Sequence, residues 1–548
     1  MKIRSTILPV LALLLLFGWT VTLYTQAQSD RVEGEASIKK VFQTILDRYV
    51  AEIDPEKLSD AAISGMLREL DPYSQHIDDN NSHRLDAITT GEYGGVGIRL
   101  GRMNDSLIVI SPMDGTPAFF QGIQAGDRIV KIDSVWTKRL ELDEAARLVR
   151  GAQGSTLKLL IKREGEQEYL EFELIRELIK VPDVSYSGLL RNRTGYVKLS
   201  NFSKYSAEDL EKAIRKMNQT NLGALIIDVR GNPGGLLSAA LMSADLFIEK
   251  GAILLETRGR IGQSNKKYLS RRRPIVRNDL PVAILIDGGS ASASEILAGI
   301  LQDYDRAVVI GKPSFGKGLV QTVTRLSPDT RLKLTSAKYY LPSGRLIQKR
   351  EIARDVMYED LLISADTVFH SDNSREFEGG GGVEPDIVAE DLPLSDLEQT
   401  LWRKRLFFKY ALDYGEVHTG LTLPIHFNDS EVDSFYDWMS QREVVPETKL
   451  NRWINGMDRV VDSTSSIYSD AMKLQQSLSE LEDAYRQEAF LDIKFQILAG
   501  LEREMSNVLG GSGARVAASL KHDRVVLKAI EVLSSVDQMQ EILAGPAE

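Results

Sequence analysis

Apolar residues recur along the chain with two different periods, and each change of period marks a new region. Between residues 34 and 84 they fall at helical spacing, as in ASIKKVFQTILDRYV, where Ile38, Val41 and Phe42 share one face. From 85 to 180, short runs such as SLIVISPM and STLKLLIKR predict strands separated by glycine turns. We therefore expect an N-terminal helical region followed by a compact β-rich module.

Beyond residue 181 the pattern becomes an alternation of strands and helices. GYVKLS, GALIIDVRG, VAILID and AVVIGK predict strands, with helices such as AEDLEKAIRKMNQ and SEILAGILQD between them. The strands are apolar almost without interruption, which favours a mostly parallel sheet buried on both faces. Met242, Leu246 and Phe247 are expected in its core. The predicted class is a multidomain α/β (α+β) fold, with a core at 181–390 and a charged helical region at 391–548.

The first 27 residues predict a targeting segment. Lys2 and Arg4 precede an apolar run from Ile7 to Tyr24, and small residues at 25 and 27 fit a signal-peptidase site. The run is also about as long as the shortest membrane-spanning helix. A cleaved signal peptide and a retained membrane anchor therefore both remain open, and either one predicts export of the rest of the chain.

Composition narrows the classes of function. The 548 residues carry a formal net charge of −11, which argues against a nucleic-acid-binding protein, because such a protein would present a basic face. The chain has no cysteine. That excludes a disulfide framework, a thiolate zinc site, a cysteine nucleophile and a cysteine-anchored lipoprotein.

The stretch GGSASASEILAG places three serines where a predicted strand leads into a helix: Ser290, Ser292 and Ser294. A serine at such a turn can hold its hydroxyl clear of the sheet, and the free N–H groups of the first helical turn can bind an oxyanion. Serine is also a frequent helix cap. Taken alone, the stretch favours capping, although one serine would be enough for that purpose.

A nucleophilic serine needs a base, and histidine is absent from the stretch of alternating strands and helices between Tyr196 and Leu341. The six histidines of the chain all lie outside it, at positions 76, 83, 370, 418, 426 and 522. The other known base is a lysine kept neutral by burial. GKPSFGKGLVQ offers Lys317 between two glycines, although a Gly-Lys-Gly sequence by itself is more typical of an exposed loop.

A third segment, DVRGNPGGLL, follows an apolar strand and precedes a helix. Its proline and glycines form a turn with open N–H groups, which is a second source of oxyanion donors. Turns of this composition between a strand and a helix are also common without any function.

Together, SASASEILAG, GKPSFGKGLVQ and DVRGNPGG resemble the carboxy-terminal processing proteases, or tail-specific proteases, which are Ser/Lys serine peptidases with a PDZ domain. Their order and separation match the family between Leu70 and Ile387, as do the shorter LDPYSQHID, LPSGRLIQ and GGGGVEPDI. The chain departs from the family at Pro-Ser before Phe315 and at Gln-His in LDPYSQHID, and neither change removes a catalytic group. The resemblance implies a crotonase-like βαβ protease core with an inserted PDZ domain.

The resemblance assigns roles to particular positions. Ser292 corresponds to the nucleophile, Lys317 to the general base and Gln321 to the residue that orients the lysine. Gly235 and Ala293 correspond to the backbone donors of the oxyanion hole. No metal or cofactor is implied.

The chemistry of a lysine base sets a requirement on the fold. A lysine with an ordinary pKa, roughly 10.4, is almost fully protonated at neutral pH. Burial among apolar atoms must therefore lower the pKa of Lys317, and Phe315, Leu319 and Val320 are candidates to line it. A glutamine at 321 can direct the amine without adding a charge that would favour the ammonium form.

The β-rich module at 85–180 resembles a PDZ domain, with GGVGIRLG in the place of the carboxylate-binding loop. Successive N–H groups of this loop could hold a terminal carboxylate while the bound tail adds a strand to the sheet. A glycine-rich strand start without a ligand is the alternative. The loop residues are Gly95, Val96, Gly97 and Ile98. The available lining predicts a preference for a small or apolar last residue: Val96, Ile98, Leu148 and Val149.

The sequence therefore predicts an exported serine endopeptidase that captures C-terminal tails of cell-envelope proteins, in the periplasm or anchored to the inner membrane. One alternative is a crotonase-like enzyme acting on acyl thioesters, and another is a PDZ scaffold with residual catalysis. For the region after about residue 390, a homodimer interface, an adaptor site and a cover for the core all remain open.

Overall fold

The computed structural model describes residues 32–103, 105–327, 330–349, 367–444, 446, 454 and 467–545. The chain divides into two compact units. Of the described residues, the smaller one comprises 32–79, 321–327 and 330–335, and the larger one comprises the rest. The predicted targeting segment, 1–27, lies outside the described residues. None of the described helices is long and apolar enough to cross a membrane.

The smaller unit contains the predicted N-terminal helices. Helix α1 covers residues 32–48, and α2 (Pro55–Arg68) begins after Asp54, whose side chain accepts a hydrogen bond from the N–H of Glu56. A proline in the first turn suits a helix start, because its missing N–H would have had no partner there. Strand β1 (Gln75–Ile77) pairs with residues 331–333 of a long strand, β18 (Arg331–Tyr340).

Helix α3 (Asp79–Thr90) leads into the β-rich module of the larger unit. Its five main strands form an antiparallel sheet in the order β3-β4-β5-β7-β8, with β6 paired to β5, while β2 pairs with β9. Strand β3 therefore lies at one edge of the sheet, and α5 packs near it. The bounds of these elements are β2 (Glu92–Gly95), β3 (Ile98–Met103), β4 (Ser106–Pro112), α4 (Pro117–Phe120), β5 (Arg128–Ile132), β6 (Val135–Trp136), α5 (Leu142–Val149), β7 (Thr156–Lys162), β8 (Leu170–Ile175) and β9 (Glu177–Lys180).

The predicted core sheet has six strands in the order β10-β11-β12-β15-β16-β21, parallel from β11 onward. Every residue of β12 and β15 is buried, as their continuous apolar sequences predict. The bounds of the strands are β10 (Val184–Leu189), β11 (Thr194–Leu199), β12 (Ala224–Asp228), β15 (Val282–Ile286), β16 (Val308–Gly311) and β21 (Ile387–Val388).

Three helices pack on one face of this sheet: α6 (Ser206–Asn218), α7 (Leu237–Ala244) and α8 (Ala293–Asp303). Leu246 and Phe247 are buried there, as expected. Met242 is not, because it lies on the outer side of α7 and is 54% exposed. An apolar residue at helical spacing can therefore still face solvent.

The other face of the sheet is covered by the C-terminal region. Helix α14 (Arg524–Ser534) places Val526 and Ile530 against Ile226 and Leu285 of the sheet. Of the three roles left open for this region, a cover for the core is therefore confirmed for α14. Helix α15 (Val536–Leu543) follows it.

The remaining C-terminal helices form an aromatic-rich cluster of their own, around Phe407 and Phe435. The longest of them, α13, is interrupted at Gly510 and Gly511. The helices are α9 (Asp396–Arg403), α10 (Leu406–Val417), α11 (Ser430–Gln441), α12 (Tyr468–Asp492) and α13 (Lys494–Ser519).

Smaller strands complete the described structure. In the larger unit, β13 pairs with β14 and with residues 338–340 of β18, and β19 pairs with β20. The bounds are β13 (Ile253–Arg258), β14 (Lys266–Leu269), β17 (Leu319–Arg325), β18 (Arg331–Tyr340), β19 (Val368–His370) and β20 (Glu376–Glu378).

Candidate active site

The serine turn and the glycine turn meet at the carboxyl ends of two neighbouring parallel strands, β15 and β12, where α/β sheets usually bind ligands. Buried Ser290 donates its hydroxyl hydrogen bond to the carbonyl of Val229 at 2.9 Å. Buried Ser294 donates in the same way to the carbonyl of Asn232 at 2.8 Å. The two outer serines of the triplet thus join the two turns, and the middle serine takes no part in this.

A carboxylate and an amide reinforce the same junction. Asp287 Oδ1 accepts the N–H of Gly231 at 2.8 Å and that of Gly289 at 2.9 Å. Asn232 accepts the N–H of Ala291 at its carbonyl, at 3.1 Å. The relative position of the two turns is therefore fixed by hydrogen bonds from both sides.

Ser292 stands immediately before α8 in an unusual backbone conformation. Its φ is 55° and its ψ is −110°, outside the regions that L-residues favour. Such a residue typically costs about 1–3 kcal/mol and persists only where its surroundings impose it. The side chain is half-buried, whereas both neighbouring serines of the triplet are fully buried. The turn therefore adopts an unfavourable backbone conformation at the one serine whose side chain is not fully buried.

Two N–H groups next to Ser292 are available as oxyanion donors. Within the described residues, neither the N–H of Gly235 nor that of Ala293 donates to a protein acceptor. The two segments lie close together, because a β-carbon at Gly234 would lie 2.9 Å from Ala293 N and 2.9 Å from Ser292 Cβ. Gly235 has φ 149°, and a β-carbon there would lie 2.1 Å from the carbonyl oxygen of Phe202. Only glycine fits at this position.

The backbone around Lys317 is held by hydrogen bonds at three successive residues. The N–H groups of Gly316 and Lys317 donate to Glu295 at 2.6 and 3.0 Å, and the N–H of Gly318 donates to Gln348 Oε1 at 2.9 Å. The Tyr339 hydroxyl contacts the carbonyl oxygen of Lys317. The Gly-Lys-Gly segment is therefore a fixed part of the core and not an exposed loop.

Glu295, which the sequence analysis did not select, is the centre of this arrangement. Its carboxylate is buried and accepts from the N–H of Ser292 at 2.7 Å and from the hydroxyl of Ser314 at 2.5 Å, in addition to the two donors in the lysine segment. Burial raises the pKa of Glu295, although these hydrogen bonds oppose the effect. A glutamate three residues after an N-cap serine is the signature of a capping box, and this signal could have identified it.

The Lys317 side chain is half-buried. Of its predicted neighbours, Leu319 is buried and Val320 half-buried, while Phe315 is 39% exposed. Gln321 belongs to the smaller unit, where its Nε2 donates to Thr335 Oγ1 at 3.4 Å. Its role in orienting the lysine stays a prediction.

The predicted carboxylate-binding loop lies between β2 and β3. Gly95 ends β2, Ile98 begins β3, and Gly97 between them has φ 75°. The carbonyls of Val96 and Gly97 accept from Ala118 and Met113 at 3.0 and 2.8 Å. Their N–H groups donate to no acceptor in the described part of the chain. The loop thus has its acceptors satisfied and two donors free, as an anion-binding loop requires.

Four family models match separate stretches of the chain. The family model for "Peptidase family S41" matches residues 193–358, and the PDZ domain model matches 87–162. A model described as "Probable PDZ-protease, C-terminal helical domain" matches 397–533. The model for the N-terminal domain of the activating protease CtpB matches 20–81.

Individual relatives match about three fifths of this chain. A carboxy-terminal-processing protease of Bartonella bacilliformis is 38% identical over 354 residues, which is 63% of this chain and 81% of that protein. The carboxy-terminal processing protease CtpB of Bacillus subtilis is 34% identical, over 60% of this chain and 68% of its own. Its CtpA counterpart from the same organism is 32% identical, over 59% and 68%.

Proposed function

The chain belongs to the carboxy-terminal processing proteases of peptidase family S41, and on that premise we propose that it is an exported endopeptidase with Ser292 as nucleophile and Lys317 as general base. The family and its PDZ domain make it a serine protease that acts on C-terminal tails. The proposal adds the identity of the catalytic dyad, the oxyanion donors and the location outside the cytoplasm.

The observation that carries the dyad is the shared carboxylate of Glu295. It binds the N–H of Ser292 and the N–H of Lys317, so it holds the two segments side by side although they are far apart in sequence. The free N–H groups of Gly235 and Ala293 support the same assignment, because a developing oxyanion beside Ser292 needs donors that are not already used.

The proposed chemistry uses these groups in turn. Neutral Lys317 takes the proton of the Ser292 hydroxyl as the serine oxygen attacks the scissile carbonyl. The N–H groups of Gly235 and Ala293 stabilise the tetrahedral anion. The ammonium of Lys317 then protonates the leaving amine, and water hydrolyses the acyl-enzyme with the same lysine as base. Gln321 directs the lysine without adding charge.

Substrate capture would use the PDZ domain. The N–H groups of Val96 and Gly97 would bind the terminal carboxylate, and the tail would extend the sheet along the edge strand β3. Buried Val96 and Ile98 favour a small or apolar last residue. The substrates would be cell-envelope proteins. The N-terminal apolar run would deliver the enzyme to that compartment as a cleaved signal or an anchor, and a homodimer or an adaptor would complete the assembly.

Cleavage of an unstructured protein such as casein tests the dyad, using the chain without residues 1–27. Ser292→Ala and Lys317→Ala should each lower the rate by at least about 10³-fold, since removing a nucleophile or its base leaves only residual catalysis. The matched controls are Ser434→Ala, an exposed serine of α11, and Lys312→Ala, an exposed lysine paired with Glu390.

Each other outcome has a definite meaning. Equal cleavage by all variants would show that the nucleophile lies elsewhere. If wild type does not cut, a peptide with an apolar C-terminus is added to occupy the PDZ domain. If the protein still does not cleave casein, or if it hydrolyses acyl thioesters instead, the proposal is overturned.

A further inference from the structure

Arg230 connects the glycine turn to the C-terminal helical region. It lies five residues before the oxyanion donor Gly235, and its guanidinium stands between two carboxylates. Nη1 and Nη2 donate to the two oxygens of Asp523, at 3.1 and 2.7 Å, while Nε and Nη2 donate to Asp228 at 3.1 and 2.7 Å. The contact with Asp523 is bidentate, the geometry in which arginine binds a carboxylate most strongly and in the most defined orientation.

The main chain of Arg230 is held as firmly as its side chain. Its N–H donates to Asp228 Oδ1 at 2.9 Å, and its carbonyl accepts from Lys198 Nζ at 2.7 Å. Lys198 also pairs with Asp228 at 3.0 Å. Two cations therefore balance the two anions Asp228 and Asp523 in a cluster whose side chains are at most 21% exposed.

Asp523 has a second contact that links this cluster to the core sheet. Its Oδ1 accepts the N–H of Val526, which makes it the N-cap of α14. Helix α14 covers the face of the sheet opposite the active-site helices. One carboxylate thus fixes both the start of that helix and the arginine of the glycine turn.

We propose that Asp523 is a positioning residue for catalysis, which holds Arg230 and through it the turn that carries the Gly235 oxyanion donor. The inference rests on the proposed function. The C-terminal helical region then contributes to the active site through Arg230, in addition to covering the sheet. Because the turn stabilises the oxyanion and does not select the substrate, loss of the contact lowers kcat and leaves KM unchanged.

Asp523→Asn is the informative variant. Asparagine is as good an N-cap as aspartate, so α14 keeps its start while the charged half of the bidentate pair is lost. We expect a lower melting temperature, because one of the two anions that balance Arg230 and Lys198 is lost, and the variant is assayed where it is fully folded. Its kcat should be at least about tenfold lower, less than the roughly 10²–10³-fold effect of removing an oxyanion donor outright. Affinity for a peptide aldehyde, whose adduct occupies the oxyanion hole, should fall by a similar factor.

Two further variants separate positioning from general stability. Asp429→Asn breaks the exposed Asp429–Lys494 pair of the same helical region and should leave kcat and aldehyde affinity unchanged. Arg230→Lys should also lower kcat. In the double variant, Asp523→Asn should lower kcat little further, because both substitutions break the same contact. Independent effects would multiply.

The outcomes distinguish the inference from the proposed function. If cleavage depends on Ser292 but Asp523→Asn keeps the wild-type kcat, or lowers it only in proportion to lost folded protein, the inference alone is overturned. If cleavage does not depend on Ser292, the proposed function fails and the inference fails with it. Asp523→Ala is measured beside Asn. If kcat falls in Asp523→Ala but not in Asp523→Asn, Asp523 acts only as a helix cap, and the positioning role is overturned.

Discussion

The backbone N–H groups of Ser292 and Lys317 donate to the same atom, Oε2 of Glu295, at 2.7 and 3.0 Å. The Tyr339 hydroxyl contacts the carbonyl oxygens of the same two residues from the other side. The proposed nucleophile and the proposed base are therefore aligned by two buried side chains that need not touch the substrate.

Glu295→Gln should lower kcat about 10²-fold. The carboxylate accepts hydrogen bonds at both of its oxygens, whereas an amide has only one acceptor oxygen, and small displacements of reacting groups lower rates by this much. Stability should fall by about 1–3 kcal/mol for each buried donor left without an acceptor. Steady-state kinetics and urea unfolding measure the two effects. Glu531→Gln, an exposed glutamate of α14, serves as control. A variant with wild-type kcat would show that the alignment does not depend on this carboxylate.

Ser290→Ala and Ser294→Ala should behave differently from Ser292→Ala. Ser294→Ala removes one buried hydrogen bond to a backbone carbonyl, and Ser290→Ala removes one such bond together with the one that Ser290 Oγ accepts from the N–H of Asp287 at 3.0 Å. Each lost bond costs about 0.5–1.5 kcal/mol, and kcat should stay within about tenfold of wild type. Labelling by a fluorophosphonate, together with denaturant unfolding, distinguishes the three. Loss of labelling in Ser290→Ala as complete as in Ser292→Ala would contradict the choice of nucleophile.

Gly235→Ala should abolish most activity, whereas Gly231→Ala should retain it. Both residues have positive φ, but a β-carbon at Gly235 meets Phe202 O at 2.1 Å, and one at Gly231 has nothing within 4 Å. Gly231→Ala therefore has only the backbone cost of about 1–2 kcal/mol. Gly235→Ala must also shift the turn, with an expected loss of about 10²-fold in kcat. Equal kcat values for the two soluble, folded variants would remove Gly235 from the oxyanion hole.

Gly97→Ala should weaken binding of a tail peptide more than tenfold, and Gly115→Ala should not. Their φ angles are 75° and 71°, so the backbone cost is matched. Only at Gly97 would a β-carbon collide, 2.3 Å from Thr116 Oγ1, and so disturb the carboxylate-binding loop. Fluorescence anisotropy with a labelled peptide ending in an apolar residue measures the difference. Unchanged binding by Gly97→Ala would place the tail elsewhere.

Asp228 should make the protein sensitive to acid. Burial alone would raise its pKa, but Arg230 and Lys198 hold the pKa of Asp228 well below its usual value. A carboxyl with a depressed pKa contributes stability above its unfolded pKa, about 3.9, and that stability is lost as the pH falls below this value.

Urea unfolding between pH 7 and pH 3 measures the contribution of Asp228. Wild type and variant must be compared, because the raised pKa values of Asp303 and Asp386 change the stability of both proteins with pH in the opposite direction. Asp228→Asn should be less stable than wild type at pH 7 and should lose less stability below pH 4. The exposed Asp537→Asn should keep the wild-type slope. Parallel curves for wild type and Asp228→Asn would refute the assignment.

Local pattern was sufficient to predict the strands of the core and the helices between them, because buried strands such as ALIID and amphipathic helices carry their own period. It also drew attention to the serine triplet and to Lys317, but taken alone it favoured a helix cap and an exposed loop for them. The family resemblance, and not the spacing, supplied their roles.

What local pattern could not supply was contact between distant segments. Nothing near Asp523 in the sequence indicates that it meets Arg230, and the apolar face of α14 does not state which surface it covers. Glu295 was missed for a related reason, since a glutamate in a first helical turn is usually a cap, and its other three donors come from the lysine segment, about twenty residues further along the chain. Met242 was assigned to the core because helical spacing does not tell which side of a short helix has a neighbour.

The cover that α14 provides has a consequence for how the chain is made. The parallel strands from β11 to β16 are complete at Gly311, but the helix that covers Ile226 and Leu285 begins only at Arg524. A growing polypeptide at about 5–20 residues per second exposes this bare sheet face for tens of seconds before its cover is synthesised. During that interval the sheet has an uncovered apolar face, and the contact between Arg230 and Asp523 cannot yet form.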